Sequence, residues 1–271
     1  MKVHVISDME GIAGIVKWQQ TKGGDPMYEE GRRLYTEEIN AAVRGAKAAG
    51  ATEIVVMDCH GAGGGWNFNS LVPDLLDPDC EYVVQEEWTS YTGFLESGCE
   101  AALFVGMHAM NGEQYGVLNH TVSGQEWQNL SFNGTLVGET GINAALCGTW
   151  GVPVLLVTGD RATCDEARAL LGNGLTTVAV KEGLGQYSAR QFPARRAREM
   201  VEQGAERALR DLGVVEPYNP GSPCTIEVEY KVSSAVDKLR RARGVEIVDS
   251  RRIRSTADTW WQAWRQFFFF G

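Results

Sequence analysis

Two hydropathy patterns alternate along the first two thirds of the chain. Short apolar runs that stop abruptly at polar residues read as buried strands: VHVIS at 3–7, EIVVMD at 53–58, EAALFVGM at 100–107, VPVLLVTG at 152–159 and TTVAVKE at 176–182. Between them, apolar residues recur at helical spacing. Residues 27–49 carry Leu34, Ile39, Val43 and Ala46 on one stripe, with Gly50 as a C-cap. GETGINAALCGTW (138–150), RATCDEARALL (161–171) and the charged stretch 193–212 read as further helices. Strand–helix alternation of this kind predicts a three-layer α/β/α fold with a largely parallel sheet.

The pattern changes near Pro217. YNPGSP (218–223) is rich in turn residues, and CTIEVEYKV (224–232) then alternates apolar and polar positions as a half-exposed strand does. VEIVDSRRIRSTA (245–257) reads as another strand, followed by a Trp-rich helix at 258–268. The expected organisation is a discontinuous α/β core, 1–80 with 136–215, and a smaller α+β subdomain, 81–135 with 216–271. The FFFF run at 267–270 is expected in a core or an interface, since its exposure would be an aggregation hazard.

Composition narrows the function classes. The chain has 271 residues and a formal net charge of −10, which disfavours a nucleic-acid partner because phosphate contact needs a basic surface. No apolar run reaches the roughly 18 residues of a membrane span. The apolar run after Lys2 meets Asp8 too soon for a signal peptide, and the six cysteines lack a CxxC pair. A reducing cytoplasm is the expected setting.

The candidate chemistry lies at strand ends. In ISDMEG, Asp8 and Glu10 are two apart and share a face of an extended chain. Asp58 and His60 repeat that spacing after the second strand, and His108 follows the third. The C-terminal ends of parallel strands line one crevice, where ligands bind in open α/β sheets. Carboxylates and imidazoles without thiolates suit zinc or a similar divalent ion in an open catalytic site. A shared carboxylate such as Asp8 could bridge two ions, and Glu139, at the start of a helix, could close the site.

Each residue has a plainer reading. Asp8 could cap a loop, Asp58 could orient His60 rather than bind metal, and His108 could be a satisfied core histidine. Glu139 could face its own helix dipole, and His120, in a glycine-flanked segment, could be a catalytic imidazole or a surface one. His4, at the far end of its strand, is read as structural. Asp160 is read as an N-cap, and Lys181 as solvated or, less simply, as a binder of a substrate carboxylate. Gly61–Gly65 lacks the lysine of a phosphate loop and reads as a flexible loop beside the site.

Taken as a set, DMEGIAG (8–14), DCH (58–60), GMHA (106–109), GVLNH (116–120) and VGETGINA (137–144) resemble the D-aminopeptidase family of zinc peptidases, known also from a dipeptide-transport operon. The resemblance extends through GRRLYTEEINAAVRGA, VPVLLVTGDRA and VKEGLGQYSAR and so covers nearly the whole chain. It implies a centre of two Zn2+ ions per subunit held by Asp8, Glu10, His60, His108 and Glu139, with Asp8 bridging and His120 catalytic. It also implies a homodecamer of two stacked pentamers whose active sites face an inner channel. The MNGEQY stretch carries an extra residue relative to the family, and the 61–70 loop is richer in glycine; both bear on substrate preference more than on metal binding. The implied activity is hydrolysis of short peptides or amino-acid amides with an N-terminal D-residue, by a metal-activated water. Two rivals are another small-amide metallohydrolase on the same site and a non-catalytic dipeptide-binding protein.

Overall fold

The computed structural model describes residues 1–88 and 91–268. In chain order its strands are β1 (Lys2–Ser7), β2 (Glu53–Asp58), β3 (Glu81–Val83), β4 (Ala101–Met107), β5 (Trp127–Phe132), β6 (Thr135–Leu136), β7 (Val154–Asp160), β8 (Thr176–Gly185), β9 (Ser188–Gln191), β10 (Cys224–Tyr230), β11 (Val245–Ile247) and β12 (Arg252–Ala257). The α-helices are α1 (Tyr28–Ala48), α2 (Gly93–Glu96), α3 (Glu139–Thr149), α4 (Arg161–Leu171), α5 (Ala194–Ala208), α6 (Ser233–Lys238) and α7 (Trp260–Arg265).

One sheet has the order β3-β2-β1-β4-β7-β8-β9 and is parallel except for its last strand, β9, which returns from β8 as a hairpin. Every residue of β4 and β7 is buried, as expected of strands covered on both faces. Helices α1 and α5 pack on each other and on the sheet, while α3 and α4 pack together against β4, β7 and β8. The expected α/β core with a largely parallel sheet is therefore present. The chain steps outward from β1 to β2 and β3, then returns to place β4 on the other side of β1. The β1/β4 junction is thus the topological switch point, and a ligand crevice is expected at the carboxyl ends of those strands.

The second sheet is antiparallel, with order β11-β12-β10-β5-β6. Strand β10 alternates buried and half-buried residues, the signature of a sheet with one covered face. That face packs on α7, whose Trp260 and Trp264 meet Phe132 and Trp127. Thr259 and Gln262 close a capping box at the start of α7.

Two sequence expectations are corrected. The boundary at 81 does not divide the sheets: β3 and β4 hydrogen-bond to β2 and β1 in the parallel sheet, so of residues 81–135 only β5 and β6 join the antiparallel one. Residues 245–257 form two strands rather than one, because Asp249 Oδ1 accepts from the backbone N–H of Arg251 and Arg252 and turns the chain back. Of the phenylalanine run, Phe267 is buried and Phe268 half-buried, while 269 and 270 lie outside the described residues. No helix among the described residues is long and apolar enough to cross a membrane.

His4 is structural, as its position suggests. It is fully buried in β1, with Nδ1 3.1 Å from the Val55 carbonyl and its ring 5.5 Å from that of Phe94. Burial pulls its pKa down from 6.5 to about 4, with the Val55 bond opposing. The unfolded chain binds this proton below pH 6.5 and the folded chain does not, so stability is full above 6.5 and declines as pH falls toward 4. The loss at the lower limit is about 3 kcal/mol. Urea midpoints measured between pH 7.5 and 4.5 should show that decline, and His4→Leu should flatten it. An equally steep decline in the variant would assign it to other groups.

Candidate metal centre

The segment after β1 is a loop with few internal hydrogen bonds, so its backbone groups must find partners elsewhere. Lys181, at 1% exposure, donates from Nζ to the carbonyls of Glu10, Ile12 and Ile15 at 2.6, 2.8 and 2.8 Å. Glu38 of α1 accepts from Ala13 N–H at 3.1 Å, and Gln191 of β9 accepts from Gly14 N–H at 3.0 Å. Lys181 is therefore neither solvated nor a substrate binder. It is a clamp whose acceptors lie some 170 residues away, and nothing in VAVKEG signals them. Burial lowers its pKa to about 8, against the raising effect of Asp160, Glu38 and Glu10. The loop also lies against the end of β4: Gly11 N–H donates to the Gly106 carbonyl at 2.8 Å, and a Cβ at either glycine would collide with the facing backbone.

That fixed loop brings Asp8 and Glu10 to the switch point. His60 arrives from the end of β2, His108 from the end of β4 and Glu139 from the first turn of α3. All five are buried. Asp8 sits between the imidazoles, with Oδ1 3.1 Å from His60 Nδ1 and Oδ2 3.3 Å from His108 Nε2. Glu10 Oε2 lies 3.1 Å from the same His60 nitrogen, and Glu139 Oε1 lies 3.3 Å from the same His108 nitrogen. The cluster therefore has two lobes, Asp8–Glu10–His60 and Asp8–Glu139–His108, that share one carboxylate.

Backbone carbonyls on the far side of each ring settle the donor question. His60 Nε2 donates to the Thr21 carbonyl at 2.7 Å, and His108 Nδ1 donates to the Ala109 carbonyl at 3.0 Å. In the neutral tautomers the remaining nitrogens, His60 Nδ1 and His108 Nε2, turn lone pairs toward the carboxylates. His108 Nε2 and Glu10 Oε2 are buried without a hydrogen-bond partner. Lone pairs converging in this way need a cation between them, and the oxygen and nitrogen donor set fits zinc. Asp8, Glu10 and His108 offer ligand atoms within 4.8 Å of one another, as do His108, His120 and Glu139.

The charges act on one another strongly. Burial would raise Asp8, but His108 and His60 outweigh it and hold the carboxyl below the usual range. Burial likewise opposes the shift of Glu139, which His108 and His120 pull down. His60 and His108 are raised despite burial, by Glu10 with Asp8 and by Glu139 with Asp8 respectively. His120 differs: burial first and His108 second lower its pKa.

His120 lines the same cavity, of about 900 Å3, as Asp8, Glu10, His60 and Glu139. Its ring stacks on His108 at 4.0 Å and meets the edge of Trp18 at 5.4 Å. Nδ1 donates to the Leu118 carbonyl at 2.9 Å, leaving Nε2 3.7 Å from Glu139 Oε1. Asp58 does not touch the His60 ring. Its Oδ1 accepts from Tyr35 OH at 2.9 Å and His60 N–H at 3.0 Å, and its Oδ2 accepts from Ser70 N–H, so it sets the backbone that carries His60. Asp160 caps α4 through Thr163 N–H at 2.8 Å, as expected, and also accepts from Val117 N–H ahead of His120 at 2.6 Å. The glycine loop lines the cavity and is tied by Asn67, which accepts from Gly63 N–H at 2.6 Å. The sequence shows Lys181 but not its role, and gives no sign of Glu38, Trp18 or Glu166; the last accepts from Met110 N–H at 2.8 Å just after His108.

Lys181→Met leaves the buried carbonyls of Glu10 and Ile15 without a donor and leaves that of Ile12 only the Ile15 N–H at 3.2 Å. It should lower unfolding stability by about 3 kcal/mol or more. Equilibrium denaturation checks this, and a loss under about 0.5 kcal/mol would remove Lys181 from its role as clamp.

Comparison with known proteins gives a consistent result. A family model described as D-aminopeptidase matches residues 1–269. The chain is 29% identical to the D-aminopeptidase of Bacillus subtilis (strain 168) over 248 residues, covering 91% of this chain and 88% of that one. It is also similar, with a TM-score of 0.91 and 27% identity, to the solved Zn-dependent D-aminopeptidase DppA from Bacillus subtilis, a self-compartmentalizing protease. That match covers 100% of this chain and 96% of the other.

Proposed function

The chain belongs to the D-aminopeptidase family and is a peptidase, and from that premise we propose a zinc-dependent aminopeptidase that removes an N-terminal D-residue from short peptides or amino-acid amides. The observation that carries the reading is the two-lobed cluster with Asp8 shared between His60 and His108. Asp8, Glu10, His60, His108 and Glu139 would hold two zinc ions, one in each lobe. When bound, zinc lowers the pKa of a water that attacks the scissile carbonyl and polarises that carbonyl.

The protein's own groups supply the rest. Thr21 and Ala109 carbonyls fix the tautomers of His60 and His108. Leu118 and Trp18 fix the ring of His120, whose lowered pKa keeps it neutral near pH 7. His120 Nε2 would accept a proton and return it to the leaving amine. The acidic wall suits the free ammonium of a substrate, which accounts for removal of terminal residues only. Assembly into the expected decamer would be consistent with the self-compartmentalizing relative, and the six free cysteines suit a cytoplasmic setting.

One observation favours a second role for His120: with His108 and Glu139 it forms a triad able to hold an ion. His120→Ala separates the two. As a proton carrier, its loss should lower turnover by about 100-fold or more with bound zinc unchanged; loss of zinc together with turnover would make it a ligand. For the substrate, the zinc-loaded protein should release D-alanine from D-Ala-D-Ala and from D-alaninamide. L-Ala-L-Ala and N-acetyl-D-Ala-D-Ala should react at least about tenfold more slowly. Equal turnover of the N-acetylated peptide would point instead to a general small-amide hydrolase.

A further inference from the structure

The loops beyond β1, β2 and β4, with the first turn of α3, supply every carboxylate and imidazole of the cluster. The antiparallel sheet supplies a cation. Between Glu229 and Tyr230 the pairing of β10 with β5 slips register, and the chain leaves the sheet at Lys231. Such a bulge re-aims the side chains that follow it. Lys231 N–H donates to the Glu126 carbonyl at 2.7 Å, and the side chain reaches the wall of the cavity that holds the cluster.

There Nζ donates to the Gly124 carbonyl at 2.8 Å and to Asn111 Oδ1 at 3.2 Å. Both acceptors are neutral. Asn111 is itself fixed, through its own N–H to Thr121 Oγ1 at 3.1 Å and its amide to the Gln128 carbonyl at 3.0 Å. Gly124 borders His120: a Cβ built on it would lie 3.7 Å from His120 Cβ. The ammonium is thus anchored on a glycine that packs beside His120, the residue assigned to proton transfer, with one of its N–H groups unspent.

Among the described residues no carboxylate pairs with Lys231. The two acids that flank it are engaged elsewhere, Glu126 with Lys238 at 3.1 Å and Glu229 with Arg251 at 3.4 Å, while Glu86 and Glu87 line the same cavity. Lys22, exposed, also lies on the cavity wall. A half-buried cation satisfied only by neutral acceptors, in a chain of net charge −10, is a ready partner for an anion.

We propose that Lys231 binds the free C-terminal carboxylate of a short peptide whose N-terminal residue lies at the acidic cluster. The inference rests on the aminopeptidase reading above and deepens it. The cavity is a dipole: carboxylates at one wall receive the ammonium end of a zwitterionic substrate, and Lys231 receives the carboxylate end. The enzyme therefore selects peptides short enough to reach both, dipeptides first. The antiparallel sheet acquires a role in substrate length selection.

The test compares D-Ala-D-Ala with D-Ala-D-Ala amide on the zinc-loaded wild type, Lys231→Gln and Lys231→Arg. The wild type should prefer the free acid. In Lys231→Gln the acid-to-amide preference in kcat/KM should fall about tenfold to a hundredfold, through KM of the acid, and Lys231→Arg should restore part of it. Lys231 also tethers the 111 and 124 loops, so a merely structural role would depress both substrates alike. Equal losses on the two substrates, or an unchanged KM for the acid, would overturn the inference alone. Wild-type protein that hydrolyses neither would overturn the aminopeptidase reading and this inference with it.

Discussion

The structure depends on keeping three carboxylates, Asp8, Glu10 and Glu139, buried around the imidazoles of His60 and His108. Charges removed from water cost several kcal/mol each unless opposite charge meets them. Nearby imidazoles are the only basic groups in direct contact among the described residues, and each has one nitrogen committed to a backbone carbonyl. The nitrogens that remain point inward with the carboxylate oxygens. The pair of divalent cations proposed above would resolve the conflict at once, and would give a physical reason why acidic residues stand at the end of an apolar strand.

The fold serves that arrangement. Three parallel strands end at one crevice because β1 and β4 flank the switch point, and the loop after β1 is held there by partners from three other elements. Lys181 of β8, Glu38 of α1 and Gln191 of β9 satisfy its backbone groups. Asp58 and Asp160 work similarly, accepting from the backbone next to His60 and ahead of His120. The conspicuous polar residues beside the cluster are thus mostly spent on the main chain, which leaves the cluster itself rigid and pre-organised.

Much of this was legible in the sequence, for identifiable reasons. Parallel strands buried on both faces read as apolar runs, so β1, β2, β4, β7 and β8 stood out, as did α1 with its single apolar stripe. Asp8, Glu10, His60, His108 and Glu139 stood out because each breaks an apolar pattern at an element's end. What stayed hidden has no local signature. The clamp of Lys181 joins segments far apart in the chain, and the short edge strands β3 and β9 are recognised only by the strands they pair with. Assigning 81–135 to the smaller unit failed because β4, though correctly read as a strand, takes its place by pairing with β1. Lys231 passed unnoticed because its meaning comes from a bulge and two neutral acceptors.

The most direct measurement is elemental analysis of metal in protein purified without chelator, for the wild type and for Asp8→Ala. A carboxylate shared between two lobes predicts about two zinc ions per chain in the wild type and loss of both from the variant. A wild type without metal, or an Asp8→Ala protein that keeps its full complement, would contradict the account at its centre.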